Sequence, residues 1–295
     1  MTARIESMDG KALAAAHRRH QRFEIVKKLF AHLVLLIGGL SFAMPLIFMV
    51  STSLKAMRQI ALFPPELIPN PVIWRNYTDV FLYAPMHKYL LNTLMITVSW
   101  VFGAAVTSSL AAYAFARLRA PGKNWLFMML LSTMMLPGVV RLIPTYILFA
   151  KLDWVGTFKP LIIPSLLGSP FYIFLLRQFF MTIPRDLEDA ALIDGCSRLR
   201  TWVSIIVPLA KPALATVTVF AFMGGWNDYM GPLIYLNNKR QYTMSLGLQV
   251  FTKQHGAEWG MMMAASSMMV APIILLFFFA QKNFVQGITM TGMKG

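Results

Sequence analysis

The residues whose types and spacing carry chemistry lie in Ile183–Pro212, which reads IPRDLEDAALIDGCSRLRTWVSIIVPLAKP. The chemistry they offer is contact rather than turnover. Pro184 suits a first helical turn, where a missing N–H costs nothing. Asp186, Glu188 and Asp189 follow, favourable at the positive end of a helix dipole. Leu187, Ala190, Ala191 and Asp194 fall at i, i+3, i+4 and i+7, on one side. Gly195 can end the helix in a left-handed conformation. Leu199, Trp202, Val203 and Ile206 then repeat the spacing of a second amphipathic helix. The pattern predicts helix, glycine turn, helix at a membrane surface. Its Ala-Ala patch would let another protein approach the backbone closely, whereas a plain amphipathic loop would lie in the lipid headgroups.

Catalytic groupings are missing. The HExxH and GxSxG patterns, clustered Cys/His and the GxxxxGK[ST] phosphate loop are all absent, so the chain does not hold ATP in that manner. The five histidines, at 17, 20, 32, 87 and 255, are scattered, and the single Cys196 excludes an internal disulfide framework and any cysteine-based metal site. The 22 methionines, including Met261–Met263 and Met268–Met269, read as flexible packing rather than a metal path.

The elements that must position this loop are apolar. Of 295 residues, 57% are hydrophobic and 13% charged, against about 25% charged in a soluble domain. The formal charge of +15 reflects basic residues flanking membrane helices rather than a nucleic-acid partner. A span needs about 20 apolar residues. The expected spans are 29–54, 89–116, 124–150, 160–183, 212–236 and 259–281, with a polar tail at 1–28 and a second at 282–295. Segments expected inside hold 17 Lys and Arg against 10 outside, which predicts both termini in the cytoplasm. The fold class is therefore all-α and integral to the membrane: six transmembrane helices, with a cytoplasmic loop between helices four and five. Residues 55–88, rich in proline and carrying Trp74 and Tyr77, read as a lid-like outer excursion. No internal repeat supports an inverted-repeat transporter.

At the loop the sequence resembles a family. Importer-type ABC permeases carry Glu-Ala-Ala, three residues, Gly, nine residues, Ile-x-Leu-Pro in the last large cytoplasmic loop. This chain has Asp189-Ala190-Ala191, then Gly195, then Ile205-Ile206-Val207-Pro208, departing in Asp for Glu and Val for Leu. The wider wording is similar to the second-permease branch of maltose-type carbohydrate importers. So are Ser53-Leu54-Lys55, Asn92-Thr93, Trp226-Asn227-Asp228 and the closing Gly292-Met293-Lys294-Gly295.

The resemblance implies a permease subunit, not itself an enzyme, of a binding-protein-dependent importer of a sugar or oligosaccharide. The expected setting is a bacterial or archaeal cytoplasmic (inner) membrane. The implied partners are an ABC ATPase dimer that holds ATP and Mg, a second permease, different as in the maltose-type arrangement or else a second copy of this chain, an extracytoplasmic solute-binding protein and the lipid bilayer. No cofactor is expected on this chain. ATPase coupling is expected of Arg185, Glu188, Asp189, Ala190, Ala191, Asp194 and Gly195, with Glu188, Asp189 and Asp194 making polar contacts to the ATPase. The translocation path is expected at Asn92, Trp226, Asn227, Asp228 and Tyr229, with Trp226 and Tyr229 able to stack on sugar faces. Contact with the binding protein is expected of Tyr242, Gln249, Thr252 and Gln254. An ion-coupled secondary transporter would instead need charges deep in the membrane, for which Arg141 and Asp228 are the candidates; a membrane scaffold would need no path. Counted along straight helices, both charges reach roughly 24–26 Å into a core about 30 Å thick. That predicts their approach, directly or through a partner permease or sugar.

Overall fold

The computed structural model describes residues 2–252 and 258–291. The chain opens on α1 (Thr2–Ser53), 52 residues without a break. The expected tail 1–28 is thus helical: its Ala, Lys, Arg, Gln and Glu are good helix formers, so hydropathy marks where a span begins but not where a helix begins. The part long and apolar enough to cross a bilayer is Phe23–Ser53. α1 packs along the last helix, which by the same logic runs on past the expected end of its span at residue 281.

Between them, α2 (Arg75–Tyr83) closes the proline-rich excursion. Gln59 pins that excursion: its amide donates to Glu66 Oε2 (2.6 Å) and Ile68 O (2.9 Å) and accepts from Asn70 N (3.0 Å). Trp74 stands exposed, while Tyr77 turns inward to share a hydrogen bond with Ser53 Oγ at 2.8 Å.

The next helix, α3 (Met86–Arg117), widens into a π-type turn at Gly103–Ser108. A Cβ on Gly103 would lie 1.8 Å from Ser165 O, so only glycine permits α3 to touch the following helix pair there. The expected third span is broken into α4 (Lys123–Ser132) and α5 (Gly138–Lys151), bent by 102°. Pro137 explains the break: the residue before a proline is pushed to extended backbone, and Leu136 adopts it, with φ −79 and ψ 117. At about 1.5 Å per residue neither piece alone spans 30 Å. The straight-helix depth of Arg141 is corrected accordingly, since Arg141 lies in the first turn after the break.

The fourth span is likewise interrupted, into α6 (Lys159–Leu166) and α7 (Pro170–Thr182). The Asp189-Ala190-Ala191 loop motif forms α8 (Asp186–Ile193) and α9 (Arg198–Leu209). α9 meets α10 (Lys211–Asn227) at 84°, so α9 lies across the start of the fifth span. α10 ends at an extended Asp228, and α11 (Met230–Tyr235) completes that span. α12 (Trp259–Thr291) is last. Among the described residues four stretches are long and apolar enough to cross a membrane, Phe23–Ser53, Met86–Arg117, Lys159–Thr182 (α6 and α7 together, without a sharp bend) and Trp259–Phe279, and six if each of the two bent pairs is one span.

Two large cores organise the bundle, with a smaller third of Ile96, Leu161, Tyr235 and Leu236 where α3, α6 and α11 meet. One joins α3, α7, α9 and α10 through Tyr113, Leu176, Phe180, Ile206 and Val217 at the end carrying the α8 loop. The other joins α2, α3, α10 and α12 through Val80, Tyr89, Trp226, Phe251 and Ala264 at the far end. Outside them, α1 and α5 expose large apolar side chains, among them Phe42 at 87% and Val139 at 82%, and α5 buries no residue. A soluble surface rarely carries such patches; a surface meeting lipid or another subunit does.

Candidate coupling loop and translocation cavity

α8 begins with its three acids in the first turn and ends in a Schellman motif. Cys196 N donates to Ala191 O (2.9 Å) and Gly195 N to Leu192 O (3.1 Å), with Gly195 at φ +80. A Cβ at Gly195 would meet nothing within 4 Å, so glycine serves the backbone alone there. Ser197 caps α9 by accepting from Arg200 N (3.3 Å), and Trp202 Nε1 donates to Ser109 Oγ (3.2 Å), which ties α9 to α3.

The loop is anchored by a group that the motif does not contain. Arg117, in the last turn of α3, places Nε 2.7 Å from Glu188 Oε1, both side chains 4% exposed. Tyr113 Oη donates to the other carboxylate oxygen at 3.4 Å. Arg117 Nη2 donates to Phe180 O (2.7 Å), which also accepts from Ile183 N (3.2 Å), and to Ile183 O just past the end of α7. One guanidinium thus holds α3, α7 and α8 together. Glu188 is therefore corrected: at 3% exposure it faces inward, because its counter-charge lies inside this chain. Ala191 is buried beside it at 7%. Arg185, Asp189, Ala190, Asp194 and Gly195 are exposed, joined by Leu187 at 44% and Ile193 at 87%. Nothing in the local sequence announces Arg117, 71 positions from its partner; the only signal is a charge closing a helix that carries no other after Lys88.

The candidate path residues separate into different places. Trp226 is 1% exposed, stacks on Phe222 at 5.3 Å and donates to Met269 O at 2.9 Å. It locks α10 to α12 and offers no face to a sugar, a correction owed to the fact that a core and a path aromatic look alike in sequence. Asn92 donates to Arg240 O (3.1 Å) and Tyr242 O (3.0 Å), and Thr93 Oγ1 accepts from Met244 N (2.8 Å). Asn92 thus clamps the far-end loop rather than facing a path. Asn227 is exposed and donates to Met223 O of its own helix at 3.0 Å. Tyr229 is half-buried. In the far-end loop Tyr242 is half-buried against Tyr89 (ring centroids 6.0 Å apart), Gln249 is half-buried and Thr252 is exposed; Gln254 lies outside the described residues.

Asp228 and Arg141 line one cavity of about 430 Å³, together with Trp100, Ser165, Ser169 and Tyr172. The cavity opens where α6–α7 and α10–α11 break. Irregular backbone at membrane depth is tolerated where it lines such a space. Ser108 Oγ, presented by the wide turn of α3, accepts from Ser169 N at 3.1 Å and fixes the first break. Asp228 Oδ1 accepts from Gly231 N at 3.1 Å and fixes the second. Among the described residues Arg141 and Asp228 form no ion pair within 4.0 Å. The expected approach is met only in that both charges share the cavity.

A bundle of broken and unbroken spans, with an amphipathic helix–turn–helix tethered at one end and a cavity that brings Arg141 and Asp228 into a mostly apolar lining, defines a multi-pass membrane permease. The family model described as "Binding-protein-dependent transport system inner membrane component" matches residues 104–290, and the chain belongs to that family. It is the transmembrane subunit of an ABC importer and not an enzyme on its own. Relatives include the sn-glycerol-3-phosphate transport system permease protein UgpE of Pectobacterium atrosepticum, 32% identical over 268 residues covering 88% of this chain and 95% of that protein. The sulfoquinovosyl glycerol transport system permease protein SmoH of Agrobacterium fabrum is 30% identical over 263 residues covering 89% of this chain and 91% of that protein. Among solved structures, a chain of a bacterial ABC transporter that imports the acidic polysaccharide alginate has a TM-score of 0.78 at 22% identity, covering 88% of this chain and 96% of its own. That likeness shows the fold.

Proposed function

We propose that this chain forms half of the translocation path for a sugar or sugar derivative and couples it to a separate ATPase dimer through α8. The substrate class follows the printed names of the relatives, which concern glycerol phosphate and a sulfoquinovosyl glycerol. The α8 end then faces the cytoplasm, with both termini on that side, as the distribution of basic residues favours. A second permease covers the apolar flank of α5, and an extracytoplasmic binding protein docks at the far-end loop that Asn92 holds. The comparison structure captured with an alginate-bound periplasmic protein supports that partner class, at a TM-score of 0.61.

The observation that carries the coupling reading is the division of α8 into two faces. Leu187, Ala190, Ile193 and Asp194 are free on one side, while Glu188 is fixed to Arg117 on the other. The free face fits a cleft; the fixed face passes its displacement to α3 and α7. When the ATPase subunits, holding ATP and Mg, close on each other, α8 moves with them. The helices tied to Arg117 follow, and the cavity exchanges one opening for the other.

The test is uptake by the complex in vesicles, with Ala190→Cys paired to a cysteine in the ATPase cleft. ATP-dependent uptake that a cross-link at 190 blocks and a reductant restores is the expected result. Uptake that needs no ATPase subunit contradicts the proposal.

A further inference from the structure

We infer that the cargo carries an anionic group, held in the cavity by the guanidinium of Arg141. The inference rests on the permease reading above and names the substrate class of the same cavity. Its basis is how the two charges of the cavity are spent.

Asp228 is turned onto its own backbone. Its Oδ1 accepts from Gly231 N at 3.1 Å, and its Oδ2 lies so close over Gly231 that a Cβ there would sit 2.4 Å away. Both oxygens therefore sit against the first turn of α11, where backbone N–H groups draw negative charge. Arg141, exposed on α5, has no partner within this chain. Among the described residues no carboxylate lies within 4.0 Å of it, and its side chain makes no hydrogen bond. Its position follows from the break at Pro137: α5 restarts at Gly138, and its first turn brings Arg141 to the cavity wall rather than along a continuous helix.

Arginine stays charged at any relevant pH. A permanent charge at membrane depth faces a cavity or a partner, and is held there for a function. The remaining polar lining, the hydroxyls of Ser165, Ser169, Tyr172 and Tyr235, is neutral and suits the hydroxyls of a sugar. Trp100, whose Nε1 is occupied by Leu161 O at 3.2 Å, supplies a ring for the apolar face of a sugar. The cavity thus offers one cation without a partner in this chain, a carboxylate turned onto its own backbone, and otherwise neutral groups. A carboxylate, phosphate or sulfonate meets the guanidinium through two parallel N–H···O bonds, a geometry that no neutral hydroxyl reproduces.

The experiment is ATP-dependent import into proteoliposomes by the whole complex, with the binding protein the same throughout so that any change in selectivity reports the permease. The panel pairs charged and neutral sugars: an oligogalacturonate with its carboxyl-reduced counterpart, and a hexose phosphate with the free hexose. The native complex is expected to import a charged member in preference to its neutral partner. Arg141→Gln is expected to lower import of the charged member by about 10- to 100-fold, the worth of a charged hydrogen bond, and to leave the neutral one unchanged; Arg141→Lys retains part of the activity. Equal loss for charged and neutral members would mean that Arg141 pairs with the second permease, and overturns the inference. So does a native complex that imports neutral members alone, in which case the permease reading stands. A native complex that imports no member with ATP overturns the permease reading itself.

Discussion

The two working regions of this permease treat their charges in opposite ways. At the α8 end, Arg117 is fully committed, with Glu188 at 2.7 Å and two carbonyls of α7 shared by one guanidinium. In the cavity, Arg141 faces open space, and Asp228 is folded onto its own turn. A committed charge fixes geometry, which a part that transmits motion needs. An uncommitted charge leaves its interaction for something that arrives and departs.

If that contrast is right, substitutions at the two regions differ in kind. The largest effect is expected from Arg117→Met or Glu188→Leu alone. Each leaves a buried charge without its partner, at a cost of about 3–5 kcal/mol, visible as a lower melting temperature in detergent. The double variant Arg117→Met/Glu188→Leu, with two apolar groups in place of the pair, is expected to regain most of that stability. A double variant as unstable as either single one would show that the carbonyl contacts of Arg117, rather than the ion pair, hold this corner.

Gly195→Val is expected to cost about 1–2 kcal/mol through its left-handed backbone. The protein remains inserted, and ATP hydrolysis separates from import as the end of α8 shifts. Normal import would show that this turn has no part in docking. Trp226→Phe removes a buried donor and its bond to Met269 O, at about 0.5–1.5 kcal/mol. Because the indole belongs to the core, thermal stability falls while import selectivity stays the same; a changed selectivity would return Trp226 to the path. The smallest effect is expected at Asn92→Ala, about 1 kcal/mol in all for two hydrogen bonds, one exposed and one part-buried. The far-end loop loosens, and stimulation of the ATPase by the binding protein weakens while basal hydrolysis persists.

Several of these features are legible in the sequence. Pro184, the three acids and Gly195 bracket α8, because local capping chemistry decides a short helix. The second and sixth spans follow from hydropathy for the same reason that composition alone marks a lipid-facing helix. The 102° break at Pro137 is hidden because a hydropathy window sums over a kink. Glu188 was expected to face a partner because the spacing of α8 says which residues share a face, not which face turns inward. That is set by Arg117, distant in sequence. Trp226 was misread for a related reason: the carbonyl it reaches belongs to α12, which no local pattern reveals.

The central claim, that α8 is free on one face and bound to α3 and α7 on the other so as to pass motion inward, is tested most directly by the ratio of cargo imported to ATP hydrolysed in the Arg117→Met/Glu188→Leu complex. The account predicts an assembled complex that hydrolyses ATP with import largely lost, because the apolar pair packs but no longer grips Phe180 and Ile183. A native import-to-hydrolysis ratio in that variant would contradict it.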